Sequence, residues 1–254
     1  VKLSSIKKTK SAERPRRIVL YGTHGIGKST FGACAPAPIF IPTEDGLSDI
    51  DADAFPLAKS LTDVIQAISE LASEAHEFTT VVVDTADWLE RLVWEHICAQ
   101  GGKSCIADFG YGKGYEEAAV KFRSVLDGLD FLRLERGMMV ILLAHCKVER
   151  FENPETEAYD RYMPKLHKST AGMLQEWADE VLFANYKVYT RTDGKGFDER
   201  KLASGGERVL YTTEKPSHLA KNRLGLPPEI PFSFAAYWEL ARPAHLAAEA
   251  ASPI

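Results

Sequence analysis

The eight residues GTHGIGKS at 22–29 follow the spacing GxxxxGK[ST], directly after a short apolar run and directly before a stretch of helical character. That arrangement serves phosphate chemistry. Gly22, Gly25 and Gly27 let the backbone wrap close to a phosphate without Cβ clashes. The successive N–H groups of the loop, those of Thr23, His24 and Ile26 among them, then point at negative charge together with the following helix N-terminus. Lys28 reaches the β- and γ-phosphates, Ser29 supplies a hydroxyl to Mg²⁺, and Thr30 adds a phosphate contact. Downstream, VVVDT at 81–85 ends an apolar run on a carboxylate. In a parallel sheet the strand carboxyl ends line the ligand crevice, so Asp84 is placed to hold Mg²⁺ through its water shell. IPTEDG at 41–46 sets Glu44 just past another strand, where it can orient and deprotonate an attacking water; Asp45, or a plain solvated turn, is the alternative. His145, at the end of LLAH, is either a sensor of the γ-phosphate that signals to the next loop or an ordinary strand-end histidine.

These groups need elements to position them. RIVLY (17–21), PIFIP (38–42), TTVVVD (79–84), MMVILLA (138–144) and EVLFANY (180–186) read as strands, the third buried on both faces by its β-branched content. Between them lie helices over 60–75, 86–99 and 115–135, and one opening over 29–34. Ser60 and Asp63 form a capping box for the first of these, with Leu61, Val64, Ile65, Ile68, Leu71 and Ala72 at helical spacing. Val120, Phe122, Val125, Leu126, Leu129 and Leu132 form the stripe of the long helix. Strand alternating with helix implies an α/β fold, mainly a parallel sheet flanked by helices. YKVYTRT (186–192) and GERVLYTT (206–213) add an antiparallel C-terminal hairpin. Two segments break the rhythm and read as long functional loops, 101–115 and 146–168.

The chain has 254 residues, of which 45% are hydrophobic and 26% charged, enough for one large domain with appendages. The expected organisation is a basic flexible segment at 1–14, an ATPase domain at 15–232 and a C-terminal extension at 233–254 whose last residues are loosely held. The net charge of -5 gives no bulk argument for nucleic acid, although Lys2, Lys7, Lys8, Lys10, Arg14, Arg16 and Arg17 crowd the start against Glu13 alone. That segment is a solvated tail or a phosphate-contacting arm. No run is long enough to span a membrane, and the opening residues have no apolar core of a secretory signal. Cys34, Cys98, Cys105 and Cys146 form no CxxC pair and read as free thiols of a reducing cytoplasm, with His96, Cys98 and Cys105 a poor zinc set by spacing.

Taken together, GTHGIGKS, the glutamate after the second strand, VVVD, and LLAH before a long loop resemble the RecA/KaiC-like P-loop ATPases. The likeness runs over roughly 15–232 and is nearest to the phage AAA-type proteins described as single-strand annealing recombinases. HLAKNRLGLP at 218–227 resembles the AKNR-G segment of hexameric replicative helicases and their RecA-like relatives. The resemblance implies a RecA-like core, ATP and Mg²⁺, a homo-oligomeric ring or filament, and a cytoplasmic site of action, that of a bacterial host if the gene is carried by a phage. It also implies that Lys221 and Arg223 reach the γ-phosphate of a neighbouring subunit, where an ordinary basic loop is the alternative. Single-stranded DNA is the implied partner, with a single-strand-binding protein beside it. The implied DNA path runs past Tyr111, Lys113 and Tyr115, then Lys147, Arg150, Arg161, Tyr162, Lys165, His167 and Lys168, where rings stack on bases and cations follow phosphates. Glu149, Glu152, Glu155, Glu157 and Asp160 neutralise the second of these segments, so its DNA surface is expected only at its ends.

A GTPase is excluded by the lack of a guanine-reading NKxD and of the DxxG glycine after Asp84. A small-molecule kinase needs an acceptor site and a lid, and no cations acting in trans. A DNA motor or helicase loader uses the same ATP core as an annealing protein, and the residues do not separate the two.

Overall fold

The computed structural model describes residues 14–193 and 200–241, with side chains described outside 188–205. The basic start, the tip of the C-terminal hairpin and the last residues of the chain lie outside this range. The apolar runs become strands β1 (Arg17–Gly22), β2 (Pro38–Pro42), β4 (Thr80–Asp84), β5 (Met139–Phe151) and β7 (Glu180–Asp193). A two-residue β3 (Asp53–Ala54) borders β2, and β8 (Arg200–Tyr211) and β9 (Glu229–Pro231) follow β7. The sheet order is β3-β2-β4-β5-β1-β7-β8-β9. From β3 to β7 every pairing is parallel; β8 and β9 add on antiparallel. This is the mainly parallel, helix-flanked α/β sheet with an antiparallel C-terminal pair that the alternating pattern implies.

Both faces of the sheet are covered, which is why its strands read as unbroken apolar runs. Val19, Tyr21, Val81, Val83, Val140 and Leu142 point into one core. Helices α2 (Leu61–Ser73), α3 (Ala86–Gly101), α4 (Lys113–Glu135) and α5 (Lys168–Trp177) close that face. Ile18, Leu20, Val82, Ile141 and Leu143 point the other way, against α1 (Lys28–Ala33) and α6 (Phe234–Ala241). Phe234, Tyr237 and Ala241 of α6 are buried beside Phe31 of α1, so the residues just past 232 pack on the ATPase core itself. The Ser60–Asp63 capping box is present at the start of α2. Two residues placed on apolar stripes face outward instead: Ile65 is 42% exposed and Val120 73%. The buried stripes are filled instead by Leu61, Val64, Ile68 and Leu71 in α2 and by Ala118, Phe122 and Val125 in α4.

The segment read as a long polar loop at 146–168 is in fact ordered. β5 continues to Phe151 and turns back as β6 (Tyr159–Pro164), making an antiparallel ribbon. Opposite charges face each other in its register, with Glu149 opposite Arg161 and Arg150 opposite Asp160, and Phe151 lies against Tyr159 at 5.5 Å. Such cross-strand pairs stabilise the outer end of the ribbon, while Cys146, Tyr162 and Met163 at its base pack on the core. The glycine-rich segment at 101–115 likewise contains a 3₁₀ turn (Ile106–Phe109) and the first turn of α4.

Candidate active site

The loop 22–27 leaves β1 at its carboxyl end, beside His145 of β5 on one side and Ala184 of β7 on the other. Gly22 is required there, because a Cβ would lie 2.4 Å from the Ala184 carbonyl oxygen. Gly27 has φ of 105°, a left-handed conformation that favours glycine. His24, Gly25 and Thr30 are exposed, Thr23 is half-buried, and the Ile26 side chain is fully buried, so Ile26 offers only its backbone to a ligand. Lys28 folds back to donate to the carbonyls of Gly22 (3.3 Å) and Thr23 (3.1 Å), and burial lowers its pKa.

Ser29 Oγ donates to Asp84 Oδ2 at 2.6 Å. Burial raises the Asp84 pKa, and the Ser29 bond opposes that rise. A hydroxyl and a carboxylate side by side form a hard oxygen set of the kind Mg²⁺ accepts while keeping most of its waters. The turn after β2 is stitched to the end of β4. Thr43 and Glu44 donate their N–H groups to the Asp84 carbonyl at 2.7 and 3.3 Å, and Thr43 Oγ1 exchanges bonds with Thr85. Glu44 is thereby held close to Asp84, while Asp45 is exposed. Glu44 Oε1 stands 3.6 Å from His145 Nε2, and burial lifts its pKa, the direction a proton acceptor near neutral pH needs.

His145 is more than a strand-end residue. Its Nδ1 lies 3.0 Å from Asp87 Oδ2, and its backbone N–H donates to Asp87 Oδ1 at 3.0 Å. The Asp87 carboxylate accepts both, so Nδ1 carries the proton and Nε2 faces Glu44. Burial alone would raise the Asp87 pKa, but the bonds from His145 bring it below the usual range. His24 of the phosphate loop stacks on the other face of this system, 4.0 Å from the His145 ring, and its neighbour lowers its pKa. Asp87 was not among the residues singled out from the sequence, although its place three residues after Asp84, in the first turn of α3, was the available signal.

These residues form the phosphate loop and carboxylate set of a P-loop NTPase. The AAA domain family matches residues 14–224. The chain belongs to that AAA domain family. This AAA domain is also 25% identical over 214 residues to the SPbeta prophage-derived uncharacterized protein YorG of Bacillus subtilis (strain 168), a match covering 81% of this chain. The chain spans 58% of the length of that relative. The AAA domain is thus a P-loop ATPase, with the residues for nucleotide and Mg²⁺ assembled at one end of the sheet. Among the described residues, no helix is long and apolar enough to cross a membrane.

The remaining predicted residues divide into two groups. Lys221 and Arg223 are not near the phosphate loop of their own chain. Lys221 pairs with Val181, at the level of Val19, and its Nζ donates to the carbonyls of Gln175 (2.7 Å) and Ala178 (2.8 Å) at the end of α5. A cation there caps the negative end of the helix. Arg223 Nη1 donates to Asp179 at 3.2 Å, with its side chain 53% exposed. Asn222 between them ties the segment down through Thr212 and Leu226.

Of the residues implied for DNA, Tyr115 is engaged: it stacks on His167 at 4.4 Å and meets Trp94 edge-on. Lys147 bonds the Leu166 carbonyl and Glu149, and Arg150 lies near Glu152 and Asp160. Arg161 is buried and paired with Glu214, and Tyr162 packs on Phe183. Tyr111, by contrast, is 103% exposed, and Lys113, Lys165 and Lys168 are exposed with no ion pair among the described residues. The Tyr115–His167 stack brings the start of α4 and the 165–168 segment together. That segment is tied to the ATP site as well, because Lys165 N–H donates to the His145 carbonyl at 2.8 Å and His167 N–H to buried Glu90 at 3.0 Å.

Proposed function

We propose that this AAA domain is a Mg²⁺-dependent ATPase of RecA/KaiC-like type that acts on single-stranded DNA in phage recombination or strand annealing. The observation that carries the reading is the direct bond from Lys165 to His145. This backbone bond joins the segment that carries the exposed Lys165 and Lys168 to the histidine that stands between Glu44 and Asp87. A prophage-derived relative supports the phage setting. In the chemical step, ATP lies with its β- and γ-phosphates on the 22–29 loop and Lys28. Ser29 and Asp84 would hold Mg²⁺, which would neutralise charge on the phosphates when bound. Glu44 takes a proton from a water as its oxygen attacks the γ-phosphorus, and the bond to the β-phosphate oxygen breaks, giving ADP and phosphate. His145, held by Asp87, keeps Glu44 aimed at that water.

DNA binding is tested by titrating a fluorescent oligonucleotide with ATP and Mg²⁺ present. Single strands are expected to bind more tightly than duplex, with affinity falling as salt rises. Replacing Lys165 and Lys168, or Tyr111 and Lys113, with alanine should weaken binding about tenfold or more, whereas alanine at the paired Arg150 should do little. Absence of binding at low salt would end the DNA reading and leave the ATPase intact. With complementary strands coated by single-strand-binding protein, annealing supports the recombination role; strand separation instead would identify a motor.

The working unit in this reading is an oligomer in which Lys221 and Arg223 act on the neighbour's γ-phosphate, an effect of ~10³–10⁵ in rate in other P-loop enzymes. Lys28→Ala and Arg223→Ala proteins, each nearly inactive, should regain hydrolysis when mixed, because one interface then pairs an intact nucleotide site with an intact cation. A mixture no more active than its parts, with mixed assembly confirmed by mass photometry, would place Arg223 outside the site.

A further inference from the structure

A nucleotide on the 22–29 loop has a direction. Glu44, Asp84 and His145, the groups that meet its terminal phosphate, stand at the ends of β2, β4 and β5, all on one side of β1. The opposite side, formed by β7, β8 and β9, carries among the described residues the exposed cation Arg208 and, just past β9, the half-buried ring of Phe232 beside the loop. Leu210 lies level with Ala184, which lies level with Gly22, and Arg208 pairs with Tyr186 farther along. Arg208 therefore stands about 7 Å above the end of β1 and two strands, about 10 Å, to its side.

Three contacts tie this place to the loop. Arg208 Nη1 donates to the Ile26 carbonyl at 3.2 Å. A Cβ on Gly27 would lie 3.0 Å from that nitrogen and 3.3 Å from Phe232 Cε1, so the glycine is what permits all three to meet. The Arg208 guanidinium lies over the Phe232 ring at 5.8 Å, and Phe232 is backed by Phe31 at 5.7 Å. Among the described residues no carboxylate pairs with Arg208. Its charge and its plane remain available beside the phosphate loop, on the side where a nucleotide anchored by its terminal phosphate must leave its base.

We propose that Arg208 and Phe232 form the platform for the nucleobase and sugar of the bound nucleoside triphosphate. A planar guanidinium stacks on an aromatic base, and its remaining N–H groups donate to ribose or α-phosphate oxygens. The role rests on the ATPase reading but not on DNA or oligomer formation. It is one of binding, separate from Lys28 and Glu44.

The test compares Mg-ATP with Mg-tripolyphosphate, which has the phosphates without base or sugar, by calorimetric titration. Arg208 is exposed, so Arg208→Ala should leave the melting temperature unchanged. It is expected to weaken ATP about tenfold and leave tripolyphosphate as in the parent. Arg208→Lys, which keeps the charge and loses the plane, should recover only part of the loss. Equal weakening of both ligands would overturn the proposal, since Arg208 would then act by shaping the phosphate loop; so would unchanged ATP affinity. If the unaltered protein binds neither ligand, the ATPase reading itself falls and the platform with it.

Discussion

Glu44→Gln is expected to bind ATP as the parent does and to lose turnover by about 10²–10⁴-fold. The substitution keeps the side-chain shape and removes the carboxylate that faces His145 Nε2, whereas Asp87 is held by Nδ1 and Asp84 by Ser29. Affinity should hold because Glu44 supplies no group to the phosphates; a lost negative charge near the γ-phosphate would, if anything, tighten binding. Nucleotide titration together with single-turnover hydrolysis separates the two quantities. Asp45→Asn should hydrolyse normally, since Asp45 is exposed. If Asp45→Asn is the slow variant, the base has been assigned to the wrong carboxylate.

Lys28→Ala should abolish productive ATP binding, with kcat/KM down by at least about 10²-fold. The fold should survive. Lys28 is 6% exposed, forms no ion pair among the described residues, and bonds only to two loop carbonyls. Asp84 and Asp87, the buried carboxylates near Lys28, keep their bonds to Ser29 and His145 when it is removed. Circular dichroism and a melting curve close to the parent's, beside lost nucleotide affinity, are the expected pair of results. Hydrolysis at the parent's rate would refute the phosphate-loop assignment outright.

The parallel core was legible in the sequence because strands buried on both faces leave continuous apolar runs. The capping box and the phosphate loop were legible because their chemistry is local: each depends on residues within eight positions or fewer of one another. The ribbon was not legible. Residues 146–151 are half-buried or exposed, and what makes them a strand is pairing with Tyr159–Pro164, a contact that no periodicity announces. Asp87 was within reach, since it follows Asp84 by three residues, but only its bonds to His145 reveal its role. Arg208 lay beyond sequence reasoning altogether, because its partner Ile26 is 182 positions away. The AKNR segment shows the reverse difficulty. Its motif suggests a contact between chains, while within one chain the same residues cap α5 and hold Asp179.

The length of β5 has a mechanical consequence. Its buried half, Met139 to His145, is clamped between β4 and β1, while its outer half is gripped by β6 alone. No glycine or proline interrupts the span from Met139 to Phe151. A beam held at its root, and braced through β6 by Ser217, Leu219 and Glu214, passes a small rotation at the root on to its outer end. The root here is His145, and Phe151 lies six residues beyond it, about 20 Å along an extended strand. A tilt of the histidine too small to break any bond in the sheet would therefore be felt at the far end of the ribbon.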